Sequence, residues 1–289
     1  MSETNVSNLQ DRVLTNIIQS RPSQDGDGVR IKRIAGTGLN PLIDPFLMLD
    51  EIHSDEAADY IGGFPEHPHR GMETITYMKV GRMRHRDHLG NEGVIGPGDV
   101  QWMTAGRGIL HSEMPEQESG LLHGFQLWLN LPAAEKMKPA AYRDIRAHEI
   151  PHRTLPDGGS ISLIAGDIVI SEGVELTGVL PELSTQPVMM DVTLNSAEAV
   201  SLDFNPLFPA LVYVVEGSLI SDELITKGQL AIFSEGRRLK LKAGDRGATM
   251  LVLSGRPLRE PIQQYGPFVM NTREQIDQAI MDFRMGRFV

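Results

Sequence analysis

The stretch His67-Pro68-His69-Arg70-Gly71-Met72-Glu73-Thr74-Ile75-Thr76-Tyr77-Met78-Lys79-Val80-Gly81 decides how this chain is read. From Thr74 to Val80 it alternates in the manner of a strand, and Gly81 ends it. Its opening holds two histidines two positions apart, stiffened by Pro68. Successive strand side chains point to opposite faces, so residues i and i+2 share one. A second pair with the same spacing is His111-Ser112-Glu113. It follows the turn signal Gly96-Pro97-Gly98-Asp99, the apolar run Val100 to Met103, and Gly106-Arg107-Gly108. If the two pairs lie on neighbouring strands with facing sides inward, three imidazoles and one carboxylate converge. That set suits a first-row transition metal and is close to the His/carboxylate sets of non-haem iron. Four protein ligands on a six-coordinate metal leave two positions for substrate or dioxygen.

Working outward, 29 glycines and 18 prolines fall between short alternating runs. That pattern predicts many short strands and an all-β sandwich or barrel. Strands are expected at 29–34, 73–80, 83–88, 100–104 and 122–130. The second half offers 160–165, 188–194, 198–204, 211–216, 229–233, 238–242 and 248–253. One helix is expected at the C-terminus. Asn271 precedes Thr272 and Glu274 sits three residues on from Asn271, a capping-box-like start, after which Ile276, Ala279, Ile280 and Phe283 recur at helical spacing and Gly286 ends it.

A length of 289 residues predicts two domains. Pro132, Pro139 and Pro151 punctuate a charged segment at 132–153, which reads as the connection. The expected division is 1–136 and 137–289. A faint repeat supports it: Thr74 to Met83, TITYMKVGRM, resembles Ala210 to Leu219, ALVYVVEGSL, at an offset of 136. The same offset puts Asp203 where His67 stands and Asn205 where His69 stands. No histidine follows His152, so the second domain is expected to lack a histidine-based metal site. Asp203 reads as a solvated surface carboxylate.

Composition bounds the function. The chain is 40% hydrophobic and 22% charged, in the range of globular proteins. Apolar runs such as Ala210 to Val215 are too short to cross a bilayer. The first thirty residues lack the basic and apolar blocks of a secretory signal. A cytoplasmic location and no membrane contact are therefore expected. There is no cysteine, which excludes disulfides and thiolate chemistry. A net charge of -11 disfavours direct nucleic-acid binding. Arg82, Arg84 and Arg86 alternate along what reads as the solvated face of a strand.

The blocks together carry a resemblance. HxHx₃E followed by GxGD and a distal histidine is similar to the two cupin motifs. The second motif departs from the general pattern at Thr104 and in the late position of His111, and that departure resembles the pirin family. The matching stretches are Asp44 to Glu51, Phe64 to Gly71, Ala105 to Pro115 and Gln126 to Pro132. The resemblance implies a bicupin of two jelly-roll-like domains, with one metal, iron above Mn, Ni, Cu or Zn, held by His67, His69, His111 and Glu113. It implies activity of the quercetin 2,3-dioxygenase type on a flavonol-like substrate and dioxygen, with Glu113 as the catalytic base. The alternative it implies is a redox-sensing regulator acting on a protein partner.

Glu73 belongs to the cupin motif and is read as a partner of a ligand histidine or as a surface residue. His123 starts an apolar face with Phe125, Leu127 and Leu129 and reads as a satisfied core histidine, or else as a lining residue of the metal cavity. His85 and His88 read as surface residues. His53, His148 and His152 have no partner at ligand spacing. Gly106-Arg107-Gly108 reads as a tight turn presenting His111.

Overall fold

The computed structural model describes residues 10–36, 38–180 and 183–289. They form two antiparallel β units with two helices, Asn40–Ile43 and Arg273–Arg284. One unit comprises residues 21–147 and 258–289, the other 148–257 and the strand β1 (Leu14–Gln19).

The first unit has two main sheets and a two-stranded ribbon, Gln263–Tyr265 with Phe268–Met270. The larger runs in the order β12 (Ala141–Ile145), β9 (Val100–Thr104), β6 (Met72–Val80), β11 (Leu122–Asn130), β4 (Phe46–Ser54), β3 (Val29–Ala35), β2 (Arg21–Asp25). The smaller runs β5 (Phe64–His69), β10 (Ile109–Pro115), β7 (Met83–Asp87), β8 (Glu92–Ile95). Ile31, Ile52, Met78 and Met83 pack together in its interior. In the second unit, Ala210–Ile220 and Arg238–Ser254 lie side by side at the centre of one large sheet. A large apolar cluster in its core is built from residues such as Val212, Val214, Met250 and Val252.

Most expected strands form close to their expected bounds. The two expected at 238–242 and 248–253 are one long strand, Arg238–Ser254. The 132–153 segment is less of a linker than its prolines suggest, because Ala141–Ile145 extends the larger sheet of the first unit by pairing with β9. The helix begins one residue late. Thr272 is its N-cap, its hydroxyl accepting from Gln275 N while Gln275 Oε1 accepts from Thr272 N. A glutamine three residues on therefore closes the box.

The compact units do not follow the linear division at 136. At one end, β1 pairs with Gln229–Phe233, and Arg12 donates to the carbonyls of Asn205 and Ser234. At the other, residues 258–289 complete the first unit. Lys136, 1% exposed, donates to Gly71 O at 2.7 Å, Asn130 Oδ1 at 2.6 Å and Val269 O at 3.0 Å. Burial pushes its amine down to about 7. Arg70, also buried, pairs with Asp282 at 2.7 Å, and its guanidinium lies over the Phe288 ring. Gly71 (φ +84) admits this close approach, since a Cβ there would stand 2.0 Å from Val269 O.

Two buried cations thus depend on residues 258–289. Removing that segment leaves both short of partners, at about 1–3 kcal/mol each and more for charged groups, against a typical domain stability of about 5–15 kcal/mol. It also uncovers Leu47 and Met72, which pack on Val269. A chain ending at residue 147 is therefore expected to show no cooperative urea transition in far-UV circular dichroism. A sharp transition would mean that the segment is dispensable.

Candidate metal centre

The two motif pairs meet because β5 and β10 are antiparallel neighbours, with His67 directly opposite His111 and His69 opposite Ile109. A register shift between His111 and Glu113 re-aims the carboxylate. One nitrogen from each of His67, His69 and His111 lies within 4.8 Å of the others. Their ring centroids are 4.4–5.0 Å apart and the planes are steeply inclined, at 56–85°. Lone pairs of inclined rings can converge on a single point. Pro65 O accepts from His67 Nδ1 at 2.8 Å, which fixes that ring's tautomer and leaves Nε2 as a donor atom facing His69 Nε2 at 2.9 Å.

Burial, reinforced by the neighbouring imidazoles, holds His69 and His111 well below the usual histidine range. Neither ring nitrogen of His111 has a protein hydrogen-bond partner. Buried polar atoms left in that state call for an explanation, and a cluster of imidazoles with lone pairs free of protein partners fits a divalent metal ion.

Glu113, 4% exposed, lines the same cavity as His67 and His69 but is not one of the groups whose donor atoms lie within 4.8 Å of one another. Thr76 Oγ1 donates to its Oε1 at 2.7 Å and Gln126 Nε2 to its Oε2 at 3.4 Å. Thr76 Oγ1 is also 2.7 Å from Gln126 Oε1. The carboxylate is thus tethered to the larger sheet through β6 and β11. Thr76 and Gln126 were absent from the sequence reading. The signal was there in the alternation of β11, where Gln126 and Trp128 share the face opposite His123, Phe125 and Leu127. Trp128 presents its ring to the edge of His69, with centroids 5.3 Å apart. These groups open on a cavity of about 650 Å³ whose walls include Met48, Ile52, Phe64 and Trp128.

Several expectations are corrected. Glu73 neither supports a ligand histidine nor lies on the surface. It is 1% exposed, and it accepts from Thr104 Oγ1 at 2.6 Å and Trp102 Nε1 at 3.3 Å. His85 is buried, not superficial. It faces Tyr142, and its Nε2 lies 3.5 Å from Asp144. His53 does have partners: it stacks on His123 at 4.2 Å, and both approach Glu51. His123 donates to Glu51 Oε1 at 3.0 Å and is a satisfied core residue. This second trio also has three donor atoms within 4.8 Å. However, its imidazoles are stacked at 10°, so a metal in one ring plane would lie far outside the other. Asp203, at the position offset from His67, is ion-paired with Arg238 at 2.9 Å.

A strand-built centre of convergent imidazoles inside an antiparallel barrel defines a cupin. Residues 28–129 match the pirin family and residues 189–289 the pirin C-terminal cupin domain, and the chain belongs to that family. It is 44% identical over 280 residues to a Vibrio cholerae protein named "Putative quercetin 2,3-dioxygenase", covering 96% of this chain and 98% of that one. To mouse pirin it is 38% identical, covering 92% and 90%. The crystal structure of a quercetin 2,3-dioxygenase from Acinetobacter baumannii superposes with a TM-score of 0.87 at 34% identity, covering 96% and 98%. Among the described residues, no helix is long and apolar enough to cross a membrane.

The geometry predicts one metal equivalent per chain. His69→Ala and His111→Ala each remove a buried donor and are expected to cut metal content to a small fraction. His53→Gln is expected to leave it unchanged. Elemental analysis after dialysis checks this, and two equivalents in the wild type would show that the stacked trio also binds.

Proposed function

We propose that the chain is a metal-dependent dioxygenase of the quercetin 2,3-dioxygenase type, with His67, His69 and His111 as iron(II) ligands and Glu113 as a fourth, movable ligand and base. One observation carries the reading: three clustered imidazoles stand at a cavity that His67, His69 and the tethered Glu113 line and that is large enough for a three-ring aromatic molecule. Its likeness to proteins bearing that name supports the substrate class. A bound metal supplies a Lewis acid that holds the flavonol 3-oxygen beside dioxygen.

The chain's own residues do the rest. Trp128, Phe64, Met48 and Ile52 form apolar walls for a flat ring system and keep water from it. Glu113 takes the proton of the 3-hydroxyl on a carboxylate oxygen. Thr76 and Gln126 aim that oxygen, so less freedom is lost when the substrate arrives. The products are the ring-opened depside and carbon monoxide.

Glu113→Gln keeps the side chain's size and removes its capacity as a base. At matched metal occupancy it is expected to lose about 10²-fold or more in turnover. Thr76→Val is expected to lose about 10-fold, and Thr76→Ser to recover most of that. The measurement is oxygen uptake and carbon monoxide release with quercetin under iron(II). Near-full turnover in Glu113→Gln would remove Glu113 as the base. No catalytic uptake by the iron-loaded wild type would end the dioxygenase reading.

A further inference from the structure

The larger sheet carries a polar row that reaches the cavity through Arg33, Asp50 and Gln126, and the chemistry at the metal does not use all of it. Arg33, Asp50, Gln126, Thr76, Gln101 and Asp144 lie in register across β3, β4, β11, β6, β9 and β12. The rows beside it are largely apolar, including Met48 opposite Trp128, and Ile52 opposite Gly124. Thr76 and Gln126 account for the middle of the row, through Glu113. Arg33 and Asp50, at one end, have no such role. Asp50 is adjacent to Gln126 and two strands from Thr76, or about 10 Å at the usual strand spacing. That is roughly the span from the reacting ring to the far ring of a flavonol.

Asp50 is built as an acceptor. Its side chain is 4% exposed, and it receives Arg33 Nε at 3.0 Å and Nη2 at 2.7 Å. Arg33 also reaches Asp25 at 2.9 Å. A carboxylate offers about four lone-pair sites, so Asp50 keeps capacity on its cavity side. Asp25, Asp50, Glu66 and Glu113 line the cavity against the single guanidinium of Arg33. Such a wall is rich in acceptors and poor in donors. It favours a ligand that brings hydroxyl hydrogens and repels one that brings a carboxylate. Burial raises the Asp50 carboxyl to about 6 against the pull of Arg33, so at neutral pH it is an anion held in a cavity, where a hydrogen bond to it is strong.

Building on the dioxygenase reading, we propose that Asp50, held in place by Arg33, selects the substrate by accepting a hydrogen bond from a phenolic hydroxyl on the ring remote from the three imidazoles. The unused end of the row is then a specificity device for polyhydroxylated aromatics.

The test measures binding by calorimetry without oxygen, using metal-loaded full-length chain. The probes are quercetin, with a dihydroxylated far ring, galangin, with a bare one, and a flavonol bearing a carboxylate there. A hydrogen bond to a charged group contributes about 1.5–3 kcal/mol. The wild type is therefore expected to prefer quercetin to galangin by about 10-fold or more and to bind the carboxylate probe weakest. Asp50→Leu alone leaves the Arg33 guanidinium at the cavity, paired only with Asp25, so the informative variant is the pair Arg33→Leu with Asp50→Leu, which removes both charges. It is expected to bind quercetin and galangin within about 3-fold of each other and to gain affinity for the carboxylate probe. Asp50→Asn is expected to fall between the two. A folded, metal-loaded double variant that keeps the wild-type preference overturns the proposal. So does a wild type that binds both flavonols equally or binds neither. A wild type that shows the preference yet consumes no oxygen upholds the Asp50 assignment and ends the dioxygenase reading alone.

Discussion

Three imidazoles can share one small buried volume only if none carries a proton beyond its neutral complement, and this condition governs the first unit. Burial and mutual repulsion keep His69 and His111 neutral, and the carbonyl of Pro65 holds the tautomer of His67. His69 Nδ1 and both ring nitrogens of His111 have no protein hydrogen-bond partner. The pairing of β5 with β10 sets imidazole nitrogens around one point, while the bulge before Glu113 and the tether from Thr76 and Gln126 hold the carboxylate on the cavity wall that His67 and His69 also line. Such an arrangement is costly without a cation and inexpensive with one.

The same sheet shows how position sorts identical side chains. His123 and Gln126 sit three residues apart on β11 and face opposite ways. One is absorbed into a stack with His53 and Glu51, the other reaches the cavity. Inclined rings and stacked rings differ in what they can hold, although both trios have the composition of a metal site. Ring orientation separates them, and it is not encoded in spacing.

That distinction explains how far the sequence could be read. The all-β character and the meeting of the two motif pairs were legible, because alternation and i, i+2 spacing are properties of the strand itself. The strand Phe64–His69 was not, since two prolines and two histidines hide its alternation, and only its partner β10 defines it. Glu73 had the motif position of a ligand, but its partners Thr104 and Trp102 lie on β9, across a pairing the sequence does not announce. Lys136 appeared to be an ordinary charge in a proline-rich connector. Its three carbonyl and amide acceptors come from Gly71, Asn130 and Val269, segments no local pattern links.

The exchange of terminal segments has a consequence for how the molecule is made. Residues 258–289 supply the acceptor for Lys136, the counter-ion for Arg70, and part of the cavity rim through Gln264, Gly266 and Pro267. On the ribosome they emerge only after the whole of the other unit. The first unit to be translated is therefore the last to be finished, and its histidines wait in an incomplete barrel while the second is built.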